Sequence, residues 1–433
     1  MINFKNKKIA VIGKGVEGLS SAKYLQEKGA KVTILDKEQG DDYLKNLKEY
    51  DLIVRSPGVK LEVLKDVPKE KITSQTKLFF ELCPAKIIGV TGTKGKGTTS
   101  SLIYEMLKKQ GFDAYLGGNI GVPPFDFLDK LNVHSVVVLE LSSFQLLDIE
   151  KSPNIAVVLM TTSEHLNWHK DLEEYINAKR NILRSQTEKD FAVINKDYLA
   201  SRESDVETNG QVYYVTSVDE AQRGCFIKEN AVWIRIGDLE EKIINTSEIL
   251  VPGEHNLENV CASSIASYLA GVQTHNIAQV LKTFKGLEHR LELVASINGV
   301  KYYDDSFSTT PETAIAAVKA FSNPEILVLG GSSKNSDFTE LGKVISESKN
   351  IKAIIGIGSE WQKIKSEIIN PQSEIYFIEG ADSMEKIVTA ASKLAFSGDV
   401  VLLSPACASF DMFKNYKDRG EQFKKKVESL AKR

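Results

Sequence analysis

The sequence lacks the features that mark disulfide-stapled, zinc-knuckle or membrane-spanning proteins. Only four of its 433 residues are cysteine, and none of them falls in a Cys-x-x-Cys pair. Reduced thiols are therefore expected rather than a disulfide frame or a zinc knuckle. No apolar stretch approaches the roughly 18 residues that a membrane helix needs. Gly13 and Lys14 interrupt the short N-terminal apolar run too early for a signal peptide.

The chain also lacks a strong charge of either sign, since its formal net charge is −3. That balance argues against broad attraction to nucleic acid or membranes, although a local basic pocket for an anion remains compatible with it. A hydrophobic content of 42% predicts buried cores rather than disorder. The length exceeds what one core supports, so several domains are expected.

Short apolar runs alternate with helical patterns in three blocks, which predicts an α/β fold with mostly parallel sheets. The first block holds runs at residues 8–12 and 31–35, and the third block begins near residue 287. Residues 204–249 have a short, polar, strand-like pattern that suggests a small antiparallel excursion. We expect three domains in series: a Rossmann-like domain at residues 1–83, a P-loop ATPase-like domain at 84–286, and a Rossmann-like domain at 287–433.

The first glycine loop, residues 13–18, has the pattern Gly-x-Gly-x-x-Gly between a predicted strand and a predicted helix. Its glycines permit a tight turn and a close approach to a pyrophosphate at the helix N-terminus. Asp36 ends the next predicted strand, where an acid can accept a ribose hydroxyl. The pattern favours a dinucleotide enzyme, and a glycine-rich turn that binds nothing is the alternative.

The second glycine loop, residues 92–96, reads Gly-Thr-Lys-Gly-Lys and follows the predicted strand at residues 86–90. It is shorter than the Walker spacing, but successive backbone N–H groups can still surround phosphate oxygens. Lys96 would supply a positive charge to the same oxygens. The alternative is that Lys94 and Lys96 are solvated loop lysines.

An acid and two histidines follow further apolar runs of the second block. Glu140 comes directly after the run at residues 135–139, at the strand end where α/β sheets bind ligands. A carboxylate there could hold magnesium, which takes oxygen ligands. His165 and His169 follow the run at residues 155–160. They could serve the site, or they could be loop histidines on a wet surface.

Lys179 occupies an apolar position of a predicted helix. Leu172, Ile176 and Leu183 belong to an i, i+4, i+7, i+11 series, and Lys179 takes the i+7 position. Its side chain is therefore expected to point inward, where burial disfavours the ammonium form. A neutral amine can react with carbon dioxide to form a carbamate, which is an anionic oxygen ligand for a cation. A snorkelling lysine whose head reaches water is the alternative.

The order and spacing of these motifs resemble those of the Mur ligase family along nearly the whole chain. The matching motifs are Thr91-Gly-Thr-Lys-Gly-Lys96, Glu164-His165 with Lys179, and the segments at residues 117–121, 140–145, 252–259, 284–290, 304–306 and 404–413. Segments 140–145 and 404–413 are similar to those of the members that add D-glutamate. The resemblance implies that the two glycine loops serve two nucleotides: the UDP of a sugar substrate at the first and ATP at the second.

The activity that the resemblance implies is ATP-dependent ligation of D-glutamate to UDP-N-acetylmuramoyl-L-alanine in peptidoglycan precursor synthesis. The alanyl carboxylate would attack the γ-phosphate of ATP, and the D-glutamate amine would then attack the resulting acyl phosphate. Lys96 and two magnesium ions would neutralise the anions that meet in the first step. A monomeric cytoplasmic enzyme is expected, with small-molecule substrates and without nucleic acid or membrane insertion.

The resemblance also maps functional positions onto this chain in four groups. Lys96 is the catalytic lysine, and the metal ligands are Glu140, His165 and carbamylated Lys179. The positions on the ATP side are Gly92, Thr93, Lys94, Gly95, Lys96, Gly97, Thr98, Asn256, Asn259, Arg290 and Asp305. The positions on the UDP-sugar side are Gly15, Val16, Glu17, Asp36, Gly58, Asn119, Ser142 and Gln145. The positions of the D-glutamate pocket are Thr309, Lys334, Ser409 and Tyr416.

Two positions depart from the family pattern, and three other functions stay open. Gly97 replaces the usual Ser or Thr that would place a hydroxyl on magnesium, and Phe307 stands where some members have a lysine near the phosphates. A sister ligase that adds another amino acid is one alternative. An NAD-dependent dehydrogenase is another, although it leaves Glu140 and Lys179 unexplained. A nucleotide-binding scaffold without turnover is the third.

Overall fold

The computed structural model describes residues 2–40, 42–162, 168–251, 253, 255–333, 336–369 and 374–431. The chain divides into two compact units. Unit 1 comprises Met1–Ile249 and His255–Lys282, and unit 2 comprises Leu250–Glu254 and Thr283–Arg433. No described helix combines the length and the apolar composition needed to cross a membrane.

The first sheet of unit 1 has four parallel strands in the order β2-β1-β3-β4. They are β1 (Lys8–Ile12), β2 (Lys31–Leu35), β3 (Leu52–Arg55) and β4 (Ile72–Ser74), with helices α1 (Val16–Glu27) and α2 (Gln75–Leu82). Ile9 and Val11 of β1 face one apolar core, whereas Ala10 and Ile12 face another. Burial on both faces explains why β1 reads as a continuous apolar run.

The second sheet of unit 1 has nine strands in the order β13-β12-β11-β10-β9-β8-β5-β7-β6. They are β5 (Lys86–Thr91), β6 (Ala114–Gly118), β7 (Val136–Glu140), β8 (Ile155–Val158), β9 (Phe191–Asn195), β10 (Gln211–Thr216), β11 (Gly224–Lys228), β12 (Ala231–Ile236) and β13 (Leu239–Asn245). The predicted antiparallel excursion is only partly correct. β10 pairs in parallel with β9 and β11, and the antiparallel pairings are those of β12 with β11 and with β13.

The helices of the second part of unit 1 flank this sheet. They are α3 (Lys96–Gln110), α4 (Ser143–Leu146), α5 (Leu172–Arg184), α6 (Leu199–Arg202), α7 (His255–Ala270) and α8 (Thr274–Thr283). One apolar cluster includes residues from both sheets of unit 1. In it, Phe79 meets Phe127 edge to face at 5.8 Å, and Tyr24 meets Phe125 at 4.4 Å between ring centroids. The two sheets therefore share buried aromatic contacts.

Unit 2 contains one sheet of six strands in the order β14-β15-β19-β16-β17-β18. The strands are β14 (Glu292–Ile297), β15 (Val300–Asp304), β16 (Glu325–Gly330), β17 (Ile351–Ile357), β18 (Tyr376–Ile378) and β19 (Val400–Leu403). Its helices are α9 (Pro311–Val318), α10 (Thr339–Glu347), α11 (Trp361–Ser366), α12 (Met384–Leu394) and α13 (Tyr416–Leu430). Only β14 is antiparallel to its neighbour.

Alternate residues of the central strands of unit 2 face two separate cores. Leu327 and Leu329 of β16 pack in one, and Ile326 and Val328 pack in the other. The mixed α/β class with mostly parallel sheets is thus confirmed. The three-domain division at residues 83/84 and 286/287 stays a prediction.

Candidate active site

The second glycine loop connects the carboxyl end of β5 to the N-terminus of α3. Gly92 and Gly95 have φ angles of +148° and +87°, in a region that side chains rarely adopt. A Cβ on Gly92 would lie 2.8 Å from the Cβ of Leu159, and one on Gly95 would collide with the side chain of Asn259. Glycine is therefore required at both positions. The loop presents backbone N–H groups at a helix N-terminus, which suits an anion.

Two lysine side chains converge on the carbonyl oxygen of Gly92. Lys96 Nζ donates to the carbonyl oxygens of Gly92 and Thr93, at 3.0 Å each. Lys179 Nζ donates to the same Gly92 oxygen at 2.8 Å. Lys179 is only 2% exposed, so the prediction that it points inward is confirmed and the snorkelling alternative is wrong. The amino groups of two lysines thus share one carbonyl acceptor at the loop.

The apolar stripe predicted for α5 was offset by part of a turn. Leu172 is 41% exposed and Ile176 is only half-buried, which contradicts two members of the predicted stripe. The buried face of the helix is formed by Tyr175, Ala178, Lys179, Ile182 and Leu183. Tyr175, which the sequence analysis missed, is within 3.0 Å of Thr93 Oγ1 through its hydroxyl, and its ring lies 4.6 Å from Lys179 Nζ.

Glu140 is the last residue of β7 and lies next to Asn119. Its Oε1 accepts a hydrogen bond from Asn119 Nδ2 at 3.0 Å, and its carbonyl oxygen accepts one from the Asn119 backbone N–H at 2.9 Å. Within the described ranges, no hydrogen-bond donor reaches its second carboxylate oxygen, Oε2. A nearly buried carboxylate with one oxygen available fits a hard cation such as magnesium. His165, the second predicted ligand, lies outside the described residues.

Asn259 joins α7 to the second glycine loop. Thr99 Oγ1 on α3 donates to Asn259 Oδ1 at 3.3 Å, and Asn259 Nδ2 donates to Asn256 Oδ1 at 2.9 Å. All three side chains are buried. The structure therefore brings both predicted asparagines to the start of α3, beside Gly95. Lys94 is exposed on the loop, Thr98 is partly buried on α3, and Gly97 is buried there.

The first glycine loop borders a cavity of about 620 Å³. Gly15, Val16, Glu17, Asp36 and Gly58, five of the positions predicted for the UDP-sugar side, all line it. The Asp36 carboxylate accepts hydrogen bonds from two backbone N–H groups, those of residue 14 at 2.7 Å and residue 38 at 3.1 Å. These bonds hold the pKa of Asp36 below its usual value. The cavity thus has an ionised acid at the position expected for ribose recognition.

Glu17 connects this cavity to the second sheet. Gln145 Nε2 donates to Glu17 Oε1, and Gln145 in turn accepts from Ser142 Oγ at 3.0 Å. Burial raises the pKa of Glu17 to about 7, while the Gln145 hydrogen bond and the charge of Arg55 oppose that rise. The structure therefore brings the predicted residues Glu17, Ser142 and Gln145 together.

In unit 2, Asp305 follows β15 and is fully buried. Its carboxylate accepts hydrogen bonds from Ser308 Oγ, from Ser404 Oγ at 2.7 Å, and from the Leu291 backbone N–H at 3.1 Å. Burial raises the pKa of Asp305 to about 7, although its hydrogen bonds lower it. Asp305 therefore links the segments that contain Leu291, Ser308 and Ser404. Its side chain is only 4% exposed, so little of its surface is available to a ligand.

The other predicted residues of unit 2 lie in loops or at the ends of its helices and strands. Ser409 is buried in the segment after β19, Tyr416 begins α13, and Thr309 is partly buried just before α9. Arg290 is exposed, and its guanidinium carbon lies 4.0 Å from the centroid of the Phe307 ring. Lys334 lies outside the described residues.

Three buried polar residues make contacts that the sequence did not predict. Arg55 makes a paired hydrogen bond with Asp148, at 3.1 and 2.9 Å, between the two sheets of unit 1. His169 is buried, with its Nε2 2.9 Å from Ser143 Oγ, so the wet-surface alternative is wrong for it. Arg419 of α13 donates to the carbonyl oxygens of Ser306, Cys407 and Ala408. In each contact the two residues are far apart in sequence, so no local sequence pattern predicts it.

Comparison with protein families gives matches in both units. Residues 90–267 match the family model described as the Mur ligase middle domain. Residues 289–407 match the model described as Mur ligase, glutamate ligase domain. The two matches together cover more than half of the chain, including the second glycine loop.

Curated relatives match over almost the whole length. The UDP-N-acetylmuramoylalanine–D-glutamate ligase of Acetivibrio thermocellus is 41% identical, over 98% of this chain and 97% of the relative. The protein of the same name from Clostridium tetani is 37% identical, again over 98% and 97%. That from Ruminiclostridium cellulolyticum is 36% identical with the same coverage.

Solved structures share the fold at much lower identity. UDP-N-acetylmuramate-alanine ligase MurC from Thermotoga maritima superposes with a TM-score of 0.61 at 18% identity, over 98% of this chain and all of that one. MurF ligase from Thermotoga maritima in complex with ADP gives a TM-score of 0.58 at 20% identity, over 99% and 96%. Sequence and fold agree, and the chain belongs to the Mur ligase family.

Proposed function

We propose that this chain is an ATP-dependent, ADP-forming ligase that joins D-glutamate to UDP-N-acetylmuramoyl-L-alanine in peptidoglycan precursor synthesis. Curated relatives that carry the corresponding name match 98% of the chain. The observation that carries the proposal is the convergence of Lys96 and Lys179 on the carbonyl oxygen of Gly92. Lys96 supplies a positive charge at the glycine loop, and Lys179 as a carbamate would supply oxygen ligands for a cation there, which suits a reaction in which two anions must meet.

ATP would bind with its phosphates at the second glycine loop. The N–H groups at the start of α3 and the ammonium group of Lys96 are the donors that suit phosphate oxygens there. Lys96 would exchange its bonds to the Gly92 and Thr93 carbonyl oxygens for bonds to the phosphates. Asn256 and Asn259 support the loop from α7.

The UDP-sugar substrate would bind in the cavity beside the first glycine loop. A volume of about 620 Å³ is within the range of small-molecule sites. Asp36 would accept a ribose hydroxyl, and the glycines would let the diphosphate approach the start of α1. Asn119, Ser142 and Gln145 would then contact the sugar-peptide part, toward Glu140.

The chemistry would proceed in two balanced steps. In the first, the alanyl carboxylate oxygen bonds to the γ-phosphorus as the bond from that phosphorus to ADP breaks, which gives an acyl phosphate and ADP. In the second, the D-glutamate amine bonds to the acyl carbon, phosphate leaves, and the amine loses a proton. Lys96 would stabilise the charge on the transferring phosphoryl group.

Magnesium would be held by Glu140 and, on the other side of the loop, by Lys179 as its carbamate with His165. A divalent cation at these ligands would neutralise charge on the phosphates and on the substrate carboxylate. A carbamylated Lys179 retains one N–H, so its hydrogen bond to Gly92 is compatible with either form. The Tyr175 ring, 4.6 Å from Lys179 Nζ, forms part of the buried surroundings of this amine.

D-glutamate would bind in unit 2, at the loops that carry Thr309, Ser409 and Tyr416, with Lys334. Ser409 lies in the segment that Arg419 fastens to Ser306. A lysine can pair with a carboxylate of the amino acid, and a hydroxyl can donate to one. The monomeric state, the cytoplasmic location and the three-domain boundaries remain predictions.

The proposal is tested by phosphate release from ATP with UDP-N-acetylmuramoyl-L-alanine and D-glutamate. We expect release of ADP and phosphate only when all three substrates are present, with a product heavier by one glutamate residue. A panel of D- and L-amino acids tests the sister-ligase alternative, since a faster acceptor than D-glutamate would reassign the activity. Hydride transfer with NAD and no nucleotide cleavage would overturn the proposal.

A further inference from the structure

Arg290 sits at the centre of an unusual backbone turn in unit 2. The residues on either side of it, His289 and Leu291, have φ angles of +61° and +44°. Two such positions, separated by a single residue, are costly for residues other than glycine, and this strain persists only where the surroundings enforce it. The turn presents the Arg290 side chain to solvent.

Three hydrogen bonds hold this turn in place. The Leu291 N–H donates to Asp305 Oδ1 at 3.1 Å, and the Phe307 N–H donates to the His289 carbonyl oxygen at 2.9 Å. The His289 ring, through Nδ1, is 2.7 Å from the carboxylate of Asp304, which is fully buried. The segment after β15 thus determines the position of the Arg290 backbone.

The Phe307 ring lies against the Arg290 side chain. The guanidinium carbon of Arg290 lies 4.0 Å from the ring centroid, which is a close cation–π contact. Phe307 is 36% exposed and also meets the Tyr416 ring edge to face, with centroids 5.2 Å apart. Among the residues that the structure describes, Arg290 has no carboxylate partner.

We propose that Phe307 is a positioning residue that holds the Arg290 guanidinium ready for a phosphate oxygen of ATP. This inference rests on the function proposed above. A carboxylate partner would occupy the N–H donors of Arg290 and neutralise its charge. An aromatic ring stacks on the face of the guanidinium, so the in-plane N–H groups keep their charge and stay available to an anion.

The Phe307 ring contacts two unit 2 residues that are predicted to bind different substrates. Arg290 is assigned to the ATP side and Tyr416 to the D-glutamate side, and Phe307 contacts both. Phe307 stands where some members of the family have a lysine, and it would orient the Arg290 side chain where the lysine would add a positive charge. An incidental surface stack would have no effect on nucleotide binding, and the following experiment separates these two possibilities.

The test is a double-mutant cycle between Phe307 and Arg290, read by calorimetry with ADP and with a non-hydrolysable ATP analogue. We expect F307L to weaken analogue binding roughly 3–10-fold, as a cation–π contact of this kind predicts, while F307Y stays within about twofold of wild type. In an R290A background, F307L should have no further effect. Equal losses with and without Arg290, or no loss in F307L, would overturn the proposal.

Matched controls separate positioning from a general loss of stability. F396L removes another exposed ring that has a cation–π contact, with Lys352 Nζ 4.9 Å from the ring centroid. Phe396 lies just before β19, at the opposite end of that strand from Ser404. It should leave the affinity for the analogue unchanged. If F307L is unfolded by circular dichroism, F307M takes its place in the cycle. A wild-type protein that binds the analogue but does not ligate D-glutamate would reject the proposed function and leave the positioning role to be decided by the cycle.

Discussion

The two glycine loops of unit 1 have the same strand–loop–helix context but different surroundings. The first borders an open cavity, and its residues Lys14, Gly15 and Val16 are exposed. The second is braced from several sides, because Thr93 meets Tyr175 and Lys179 bonds to Gly92. A loop that recognises a ligand by shape can remain open, whereas a loop that handles phosphoryl transfer benefits from fixed dipoles and charges.

The two loops also differ in the charged side chains around them, although the first loop has one exposed lysine, Lys14. Acids stand at the first loop, where Asp36 is ionised and burial raises the pKa of Glu17 to about 7. Lysines stand at the second, where Lys96 and Lys179 share one carbonyl acceptor. We expect the two lysines of the second site, Lys96 and Lys179, to serve the transfer step rather than nucleotide binding alone.

The largest expected effect is that of Lys96→Ala. Removing the charge at the transferring phosphoryl group should lower the turnover number by at least about 10²-fold, by analogy with the loss of an oxyanion donor. Phosphate release measures the loss, and binding of the UDP-sugar at the first loop should be unchanged. Lys108→Ala, an exposed lysine on the same helix, is the control. Turnover near the wild-type value would remove Lys96 from the proposed role.

The next effect is that of Lys179→Ala, which should lower activity roughly 10–100-fold, as losses around a metal site do. A small carboxylate such as acetate should restore part of the activity by supplying the oxygens of the carbamate. Lys179→Arg keeps the charge but cannot form the carbamate. Full activity in the arginine variant would contradict the carbamate, and Lys189→Ala serves as an exposed control.

A smaller effect is expected from the ionisation of Glu17. Below about pH 7 its carboxyl is neutral, and above that pH its charge would repel the substrate diphosphate. The KM for the UDP-sugar should therefore rise roughly fivefold between pH 6 and 8 in the wild type and stay flat in Glu17→Gln. The same ionisation should lower the free energy of unfolding as pH rises from 4.5 through about 7. An equal rise of KM in the variant would exclude Glu17 as the cause.

The smallest effects concern the hydroxyl missing at Gly97. Water can complete the coordination of magnesium readily, so Thr98→Val should change the apparent magnesium affinity by less than about twofold. Gly97→Ser should be tolerated or should tighten that affinity. Titration of phosphate release with magnesium measures both variants. A large loss in a folded Thr98→Val protein would instead identify Thr98 as the ligand.

The periodic signals of the sequence predicted the sheets well. β1 begins and ends where its apolar run does, because a strand buried on both faces needs continuous apolar residues. The stripe of α5 was less accurate. Leu172 lies in the first turn and is exposed, so the buried face follows Tyr175 and Ala178 instead.

The candidate site was predictable only where residues are close in sequence or fit a known pattern. Five predicted residues do line one cavity at the first loop. The contact between Glu17 and Gln145 joins residues 128 positions apart, and that between Thr93 and Tyr175 joins residues 82 apart. No local period encodes such pairs, since they depend on how the elements pack.

The aromatic contacts between the two sheets of unit 1 have a consequence for fragments of the chain. Phe79 and Tyr24 belong to the first 83 residues, whereas their ring partners Phe127 and Phe125 belong to the second part. Cutting the chain after residue 83 would expose these rings to water and leave Arg55 without Asp148. The excised piece should therefore aggregate or unfold rather than persist as a separate globule, and a protease should find residues 75–86 resistant in the intact protein.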